Sequence, residues 1–165
     1  MKVQKRRRME NKTDYGKREK LLKSHGPRLV FRKTNRYVLG QYVISKNAQD
    51  LVQIGATSKD LLAYGWPKEF EGSLKSLTAS YLTGMLIAKK IVSQKLPSPI
   101  LDLGMLRILH KTKIYAFIKG VNDGGVKIKC DPSLFPDEER IKGKYLKKDF
   151  SKTFDAIKSK IMGAK

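Results

Sequence analysis

The stretch that decides the fold is residues 28–56, RLVFRKTNRYVLGQYVISKNAQDLVQIGA. Three runs in this stretch alternate apolar and polar side chains, as strands with one buried face do: Arg28–Lys33, Tyr37–Ile44 and Asp50–Ala56. The connections at Thr34–Arg36 and Ser45–Gln49 are too short to hold a crossover helix. The stretch therefore predicts an antiparallel meander of three strands.

A long helix and a fourth strand are predicted after the meander. Apolar or small residues recur at steps of four and three between Ser76 and Gln94, which is the spacing of one helix face: Leu77, Tyr81, Gly84, Ala88 and Ile91. Ile100–Leu103 is a short apolar run typical of a buried strand. Strand, helix and strand together predict a crossover onto the sheet edge, and so an α/β fold with a small mixed sheet and packed helices.

Shorter helices complete the prediction. They are expected at Asp14–Lys23, at Lys59–Ala63 with Ser58 as its cap, at residues 113–122, from Pro136 onward, and at residues 151–162. We divide the chain into a basic arm (residues 1–16), a core domain (residues 17–145) and a basic amphipathic C-terminal helix (residues 146–165). The arm has too few apolar side chains to pack, so we expect it to be disordered when free.

Charge is the strongest compositional signal. The 165 residues include 36 Lys and Arg against 15 Asp and Glu, a formal net charge of +21. Residues 1–36 hold 14 basic and 3 acidic groups, whereas residues 37–110 hold 8 and 5. The chain contains no apolar run of about 18 residues that could span a membrane. A polyanion is the expected partner: nucleic acid, an acidic protein, or an anionic membrane surface, for which the apolar face of the last helix is the only support.

Few residues suit catalysis. His25, His110 and the single Cys130 have no partner at the spacing of a metal site or a nucleophilic pair. Asp14, Asp102 and Asp123 are the possible ligands of a metal-dependent nuclease, which is the alternative function. Asp102 is more simply a strand-end residue that caps a loop or pairs with lysine, and Asp123 a turn residue. We therefore expect no enzyme activity, metal, cofactor or small-molecule substrate.

Three segments favour nucleic-acid binding, because their cations suit phosphates and the hairpin adds hydrogen-bonding groups and an aromatic ring. The first is the arm together with the start of the helix after it, with Lys5, Arg6, Arg7, Arg8, Lys12, Tyr15, Lys17 and Arg18. The second is a hairpin with Arg28, Arg32, Lys33, Thr34, Asn35, Arg36 and Tyr37. In it, Asn35 is expected to take a left-handed turn conformation, Thr34 and Asn35 to bond sugars or bases, and Tyr37 to stack on a base. The third lies at the carboxyl end of the fourth strand, with Arg107, His110, Lys111 and Lys113.

The order of several motifs resembles one known family. These motifs include Arg6-Arg-Arg8, Lys12-Thr-Asp-Tyr15, Pro27-Arg-Leu-Val30, Arg32-Lys-Thr-Asn-Arg-Tyr37, Tyr64-Gly-Trp66, Ala79-Ser-Tyr-Leu-Thr-Gly84, Leu101-Asp-Leu-Gly104 and Phe135-Pro-Asp-Glu-Glu-Arg-Ile-Lys-Gly143. Together they are similar to the universal large-subunit ribosomal protein that carries 5S rRNA, number eighteen in the large-subunit series. The length resembles that of its archaeal-type branch.

The resemblance implies a non-enzymatic protein of the large ribosomal subunit in the cytoplasm. Its partners would be 5S rRNA, the large (23S-type) rRNA at the central protuberance, and neighbouring large-subunit proteins. The RNA-binding positions of the family correspond to the arm, the hairpin at Arg28–Tyr37 and the loop after Gly104. No membrane partner is implied.

The sequence departs from the family in one loop. Relatives usually carry a short polar, basic or Gly-containing loop after Gly104, whereas this chain has Met105, Leu106, Ile108 and Leu109. The segment can therefore pack on a neighbour instead of presenting Arg107 and His110 to RNA.

Overall fold

The sheet has four strands in this computed structural model, which describes residues 3–47, 49–144 and 150–163. The strands are β1 (Arg28–Lys33), β2 (Val38–Lys46), β3 (Gln49–Thr57) and β4 (Ile100–Asp102). They lie in the order β3-β2-β1-β4, with the first three antiparallel and β4 parallel to β1. The predicted meander and the further strand at its edge are confirmed.

The described residues also form six α-helices. They are α1 (Arg6–Met9), α2 (Tyr15–Lys23), α3 (Leu77–Ser93), α4 (Lys113–Asp123), α5 (Glu138–Lys142) and α6 (Ser151–Gly163). Single 3₁₀ helices occupy Ser58–Leu62, Lys68–Ser73 and Pro132–Leu134. The helices predicted near residues 14–23, 76–94, 113–122 and 151–162 are confirmed within one residue.

The helix α3 is enclosed rather than packed by one face. Every side chain from Thr78 to Ala88 is buried, including the polar ones. The sheet covers one side of the helix, and α4, α5 and α6 cover others. The predicted stripe is buried from Tyr81 to Ile91, and helices from later in the chain bury the other faces of α3 as well. Thr83 satisfies its hydroxyl within the helix by donating to the carbonyl of Ala79 at 2.7 Å.

Two glycines set the distance between α3 and α4. A Cβ atom at Gly84 would collide with the carbonyl oxygen of Phe117, and one at Gly120 would collide with the carbonyl oxygen of Tyr81. The two helix backbones are therefore in direct contact at these positions. This approach lets the Phe117 ring reach the sheet, where its centroid lies 4.8 Å from that of Phe31.

The C-terminal helix α6 packs into the core by Phe154, Ile157 and Ile161, all at most 2% exposed. Its apolar face is thus unavailable to a membrane surface. No helix in the described part of the chain is long and apolar enough to cross a membrane. The predicted boundary between residues 145 and 146, with Lys147 and Lys148 beyond it, falls outside the described residues.

The cap of the first 3₁₀ helix differs from the prediction. Thr57, not Ser58, precedes it, and the carboxylate of Asp60 accepts hydrogen bonds from the Thr57 amide and hydroxyl at 3.1 and 2.9 Å. Ser58 is fully buried and its hydroxyl accepts the amide of Val38 at 3.0 Å. A residue predicted as a cap therefore joins the start of β2 to the segment after β3.

Candidate nucleic-acid interface

The predicted RNA contact at Arg28 must be corrected, because only 1% of this residue is exposed. One guanidinium nitrogen of Arg28 lies 3.0 Å from Asp102, and the other lies 2.6 Å from Asp50 and 2.8 Å from the hydroxyl of Ser45. A side chain held in this way cannot reach a phosphate. Arg28 instead ties β1 to both β4 and the start of β3.

Asp50 is held ionised by its neighbours. Burial alone raises the pKa of its carboxyl, but hydrogen bonds from Arg18, Ser45 and Arg28 outweigh this and bring the pKa to about 2, from an ordinary 3.8. The Arg18 guanidinium lies 2.9 Å from Asp50. Arg18, predicted to contact RNA, thus helps to hold α2 on the sheet.

Arg32 marks the end of the sheet where the exposed cations begin. Its guanidinium donates to the carbonyls of Phe31 and Asp102 at 2.8 and 2.9 Å and lies 3.4 Å from the Asp102 carboxylate. Gly104 makes room for it, since a Cβ there would lie 2.9 Å from the central carbon of the guanidinium. The side chain is still 41% exposed, so it presents a fixed positive charge to solvent.

The arm meets the loop after β4 at this same end. Asp14 caps α2 by accepting the Lys17 amide at 3.2 Å. Lys17 donates to the carbonyl of Gly104 at 3.3 Å, and Arg8 donates to the sulfur of Met105 at 3.6 Å. Two segments 87 or more residues apart in sequence are therefore neighbours.

Most arm cations stay exposed. Residues 3–10 are all exposed, and the single turn α1 has no buried residue. The Lys5 ammonium lies over the Tyr15 ring, 4.6 Å from its centroid, and Arg7 donates to the hydroxyl of Thr13 at 2.9 Å. Arg6 and Lys12 share Glu10, at 3.6 and 2.8 Å. These surface contacts are weak, so they leave the cations able to exchange partners.

The hairpin tip is built by Thr34. Its hydroxyl donates to the carbonyl of Tyr37 at 3.0 Å and accepts the Tyr37 amide at 2.9 Å, so the donor predicted for RNA is used by the turn. Asn35 is absent from the described residues with positive φ, so its predicted left-handed conformation is wrong. Asn35 and Arg36 are exposed, whereas Tyr37 is half-buried and packs on the core.

An open pocket of about 420 Å³ lies beside the hairpin tip. It is lined by Asn35, Arg36, Tyr37, Glu71, Gly72 and Lys75. The half-buried Tyr37 therefore lies beside two cations, Arg36 and Lys75, and one carboxylate, Glu71. Sequence reasoning missed Lys75, because it lies 38 residues beyond the hairpin in a segment whose pattern gives no sign of contact with it.

The third predicted segment lies at the same end of the sheet. β4 runs parallel to β1, so the loop after it emerges beside Arg32 and Lys33. Arg107 and His110 are exposed, Lys111 is exposed and 3.4 Å from Asp137, and Lys113 begins α4. We use the name basic end for the arm, Arg32, Lys33, the hairpin tip and this loop. The structure thus brings the predicted residues together at this end, except Arg18, which pairs with Asp50, and Arg28, which is buried.

The three carboxylates proposed for a nuclease have separate uses. Asp14 caps α2, Asp102 pairs with two arginines, and Asp123 accepts the Tyr81 hydroxyl at 2.7 Å at the end of α4. In the described ranges no group of three His, Cys, Asp or Glu side chains is arranged to hold a metal ion. Asp102 was predicted to cap a loop or pair with lysine; it accepts the Gly104 amide at 2.8 Å and pairs with arginine.

A comparison with protein families identifies the relatives of this chain. The family described as "Ribosomal large subunit proteins 60S L5, and 50S L18" matches residues 1–98. The chain belongs to this family. Its members are structural components of the large ribosomal subunit and not enzymes, so this chain is a non-enzymatic protein of the ribosome. The nuclease hypothesis is thereby set aside.

Individual relatives agree over most of the chain. A protein named large ribosomal subunit protein uL18 from Korarchaeum cryptofilum is 44% identical over 145 residues, which cover 88% of this chain and 72% of the relative. The protein of the same name from Methanoculleus marisnigri is 43% identical over 86% of this chain and 78% of the relative. That from Methanococcoides burtonii is 37% identical over 98% and 94%. These archaeal sources confirm the predicted archaeal-type branch.

Proposed function

We propose that this protein binds 5S rRNA and attaches it to the large rRNA of the subunit at the central protuberance, beside neighbouring large-subunit proteins. The observation that supports this most directly is the convergence of the arm, Arg32, Lys33 and the hairpin tip at the basic end. These segments are separated in sequence, yet they lie at one end of the sheet and form a cationic region there. A folded RNA can contact all of it at once.

Phosphate neutralisation supplies most of the affinity in this proposal. The arginines at positions 6 to 8 offer planar, paired donors, which suit phosphate better than ammonium groups do. Their present partners are exposed hydroxyl, sulfur and carboxylate groups, and phosphates can replace these at small cost. Arg32 differs because four contacts fix its direction before RNA arrives.

Selectivity comes from the hairpin tip and from RNA shape. The pocket beside Tyr37 has the size for an unpaired base, with Arg36 and Lys75 placed for the adjoining phosphates. Stacking of a base on an aromatic ring contributes about 1–3 kcal/mol and occurs at unpaired rather than duplex nucleotides. The tip therefore favours an RNA that presents an unstacked nucleotide next to a helix.

The decisive experiment compares 5S rRNA with an unrelated structured RNA of equal length in filter binding at several salt concentrations. We expect 5S rRNA to bind roughly tenfold tighter or more at every salt concentration, with affinity for both RNAs falling steeply as salt rises. Equal affinities at matched salt would contradict specific 5S rRNA binding and leave only general attraction.

The attachment role has its own test. Immobilised 5S rRNA should retain a labelled fragment of the large rRNA only when this protein is present. A variant with Arg6, Arg7 and Arg8 changed to Gln serves as the control for the arm. Retention of the fragment without the protein, or failure to retain it with the protein at low salt, would contradict the bridging proposal.

A further inference from the structure

The loop after β4 and the start of α4 border a groove of about 490 Å³, and the RNA proposal uses some of its cations but none of its apolar side chains. The apolar part of its lining consists of Phe31, Leu77, Leu106, Leu109 and Ile114. Phe31 and Ile114 belong to the buried core, and Leu77 and Leu106 pack against it. The apolar lining of this groove, which we call the loop groove, is therefore continuous with the hydrophobic core.

Exposed apolar side chains extend this surface. Met105, Ile108 and Leu109 are 38%, 51% and 48% exposed, although they lie within five residues of one another. Single exposed apolar residues are ordinary on protein surfaces, but contiguous ones beside a groove are typical of a docking site.

The rim of the loop groove is cationic. It is formed by Lys33, Arg107, Lys111, Lys113 and Arg140. Lys111 has Asp137 at 3.4 Å, but the described residues place no carboxylate within ion-pair distance of the other four. Burial, together with the charges of Lys33 and Lys75, lowers the pKa of Lys113, as expected for cations gathered without an anion.

We propose that the loop groove binds an acidic segment of another protein, and that this segment inserts two or more apolar side chains into the groove. The rim supplies charge complementarity to carboxylates, and the lining supplies contacts to aliphatic or aromatic anchors. RNA fits less well. Its phosphates would contact the rim, but its sugars and bases would leave Met105, Ile108 and Leu109 exposed to solvent. The apolar lining has its one aromatic ring, Phe31, buried to 1% exposure, so it offers no stacking platform.

This proposal goes beyond 5S rRNA binding and does not depend on it. The loop groove lies next to the hairpin through Lys33, but its apolar residues come from β1, α3, the loop and α4. A partner seated there would leave the hairpin pocket free, since the two pockets share no lining residue.

The test is fluorescence anisotropy with the full chain and two labelled peptides of equal negative charge. One peptide carries glutamates with leucines on one helix face, and the other has serines in place of the leucines. We expect the leucine peptide to bind roughly tenfold to a hundredfold tighter, since burying one or two leucines has that effect. A single-stranded RNA of the same charge is the third probe.

Two variants locate the binding. Ile108→Ser with Leu109→Ser should remove the advantage of the leucine peptide and leave RNA affinity unchanged. The matched control is Leu51→Ser, since Leu51 is 65% exposed on β3 at the opposite sheet edge. The Leu51→Ser variant should bind both peptides as tightly as the unaltered chain does. Arg107→Gln, at an exposed rim position, should weaken both peptides without affecting folding.

Three results would overturn the proposal. Equal binding of the two peptides would show that charge alone attracts them. An unchanged affinity in the double variant would place the peptide elsewhere. Preferential loss of RNA binding in that variant would assign the loop groove to RNA. None of these measurements contains 5S rRNA, so they are independent of the test of 5S rRNA binding.

Discussion

The Arg28 guanidinium lies 3.0 Å from the Asp102 carboxylate, and this buried ion pair joins the first strand of the sheet to the last. The side chains are 2% and 8% exposed. Asp102 also accepts the amide of Gly104 and a contact from Arg32, so the same carboxylate supports the loop and an exposed cation. A structural pair thus sets the geometry of the basic end.

Removing one member of this ion pair should destabilise the folded protein strongly. Arg28→Met leaves the Asp102 carboxylate partly unpaired in the interior, for which we expect a loss of about 3–5 kcal/mol in the free energy of unfolding. Urea denaturation measures it. Glu19→Gln, which breaks the exposed pair with Lys23, is the control and should leave stability nearly unchanged. Arg28→Met with Asp102→Leu should lose less than the sum of the two single variants; simple additivity would contradict the coupling.

Stability should fall in acid partly because of Asp50. Its pKa is about 2 in the folded protein and 3.8 ordinarily, so its contribution is complete above pH about 4 and is lost as the pH falls from there towards 2. The difference in unfolding free energy between the unaltered chain and Asp50→Asn should therefore be largest above pH about 4 and should shrink on acidification. A difference that is constant with pH would contradict the assigned ion pairs.

Gly84→Ala and Gly120→Ala should each destabilise the protein by about 1–3 kcal/mol or more, because the new methyl group meets a backbone carbonyl of the facing helix. Gly16→Ala is the matched control. Its added carbon would find only the Asp14 carboxylate, at an ordinary 3.7 Å, so alanine should be neutral or slightly stabilising in α2. Thermal melting of the three variants gives the comparison, and equal effects at all three sites would refute close helix packing.

Loss of the arm arginines should weaken the binding of every RNA to the same extent. Changing Arg6, Arg7 and Arg8 to Gln removes up to three phosphate contacts, and each should reduce the slope of log affinity against log salt by about 0.7–0.9. The control is a variant that loses the same number of positive charges at exposed lysines outside the arm, with Lys59, Lys127 and Lys129 changed to Gln. A smaller effect for the arm variant than for this control would argue against an arm contact.

The hairpin tip should instead affect selectivity. Tyr37→Leu keeps an apolar group on the core but removes the ring, so 5S rRNA binding should weaken by about 1–3 kcal/mol while a generic duplex is little affected. Asn35→Ala should act in the same direction. Tyr37→Phe retains the ring and should bind as the unaltered chain does. Filter binding at one fixed salt concentration distinguishes these outcomes, and equal losses on both RNAs would remove the tip from recognition.

Local patterns were sufficient to predict most of the fold. Alternation predicted the meander, and apolar spacing predicted a helix from about Ser76. In the structure Ser76 caps α3, because its hydroxyl accepts the amide of Ala79. These features depend on neighbours within a few residues. The position of β4 at the sheet edge followed from the crossover rule.

Long-range pairing was beyond such patterns. The partner of Arg28 lies 74 residues away, and nothing in an alternating strand distinguishes a buried arginine from an exposed one. The enclosure of α3 depends on α6, whose place on the core is fixed by packing between distant segments. Asn35 was misjudged because Thr34 closes the turn with its own side chain, which removes the need for positive φ.

Arg28 and Asp102 are 74 residues apart in sequence, and this distance affects the order in which parts of the protein can fold during synthesis. During synthesis, the arm and the meander leave the ribosome before β4 exists, so Arg28 must stay hydrated until the chain beyond residue 102 has emerged. The sheet cannot bury that charge earlier without a large penalty. The nascent chain therefore exposes its most cationic third first and completes its fold last, which gives anionic partners access to the arm before the core has closed.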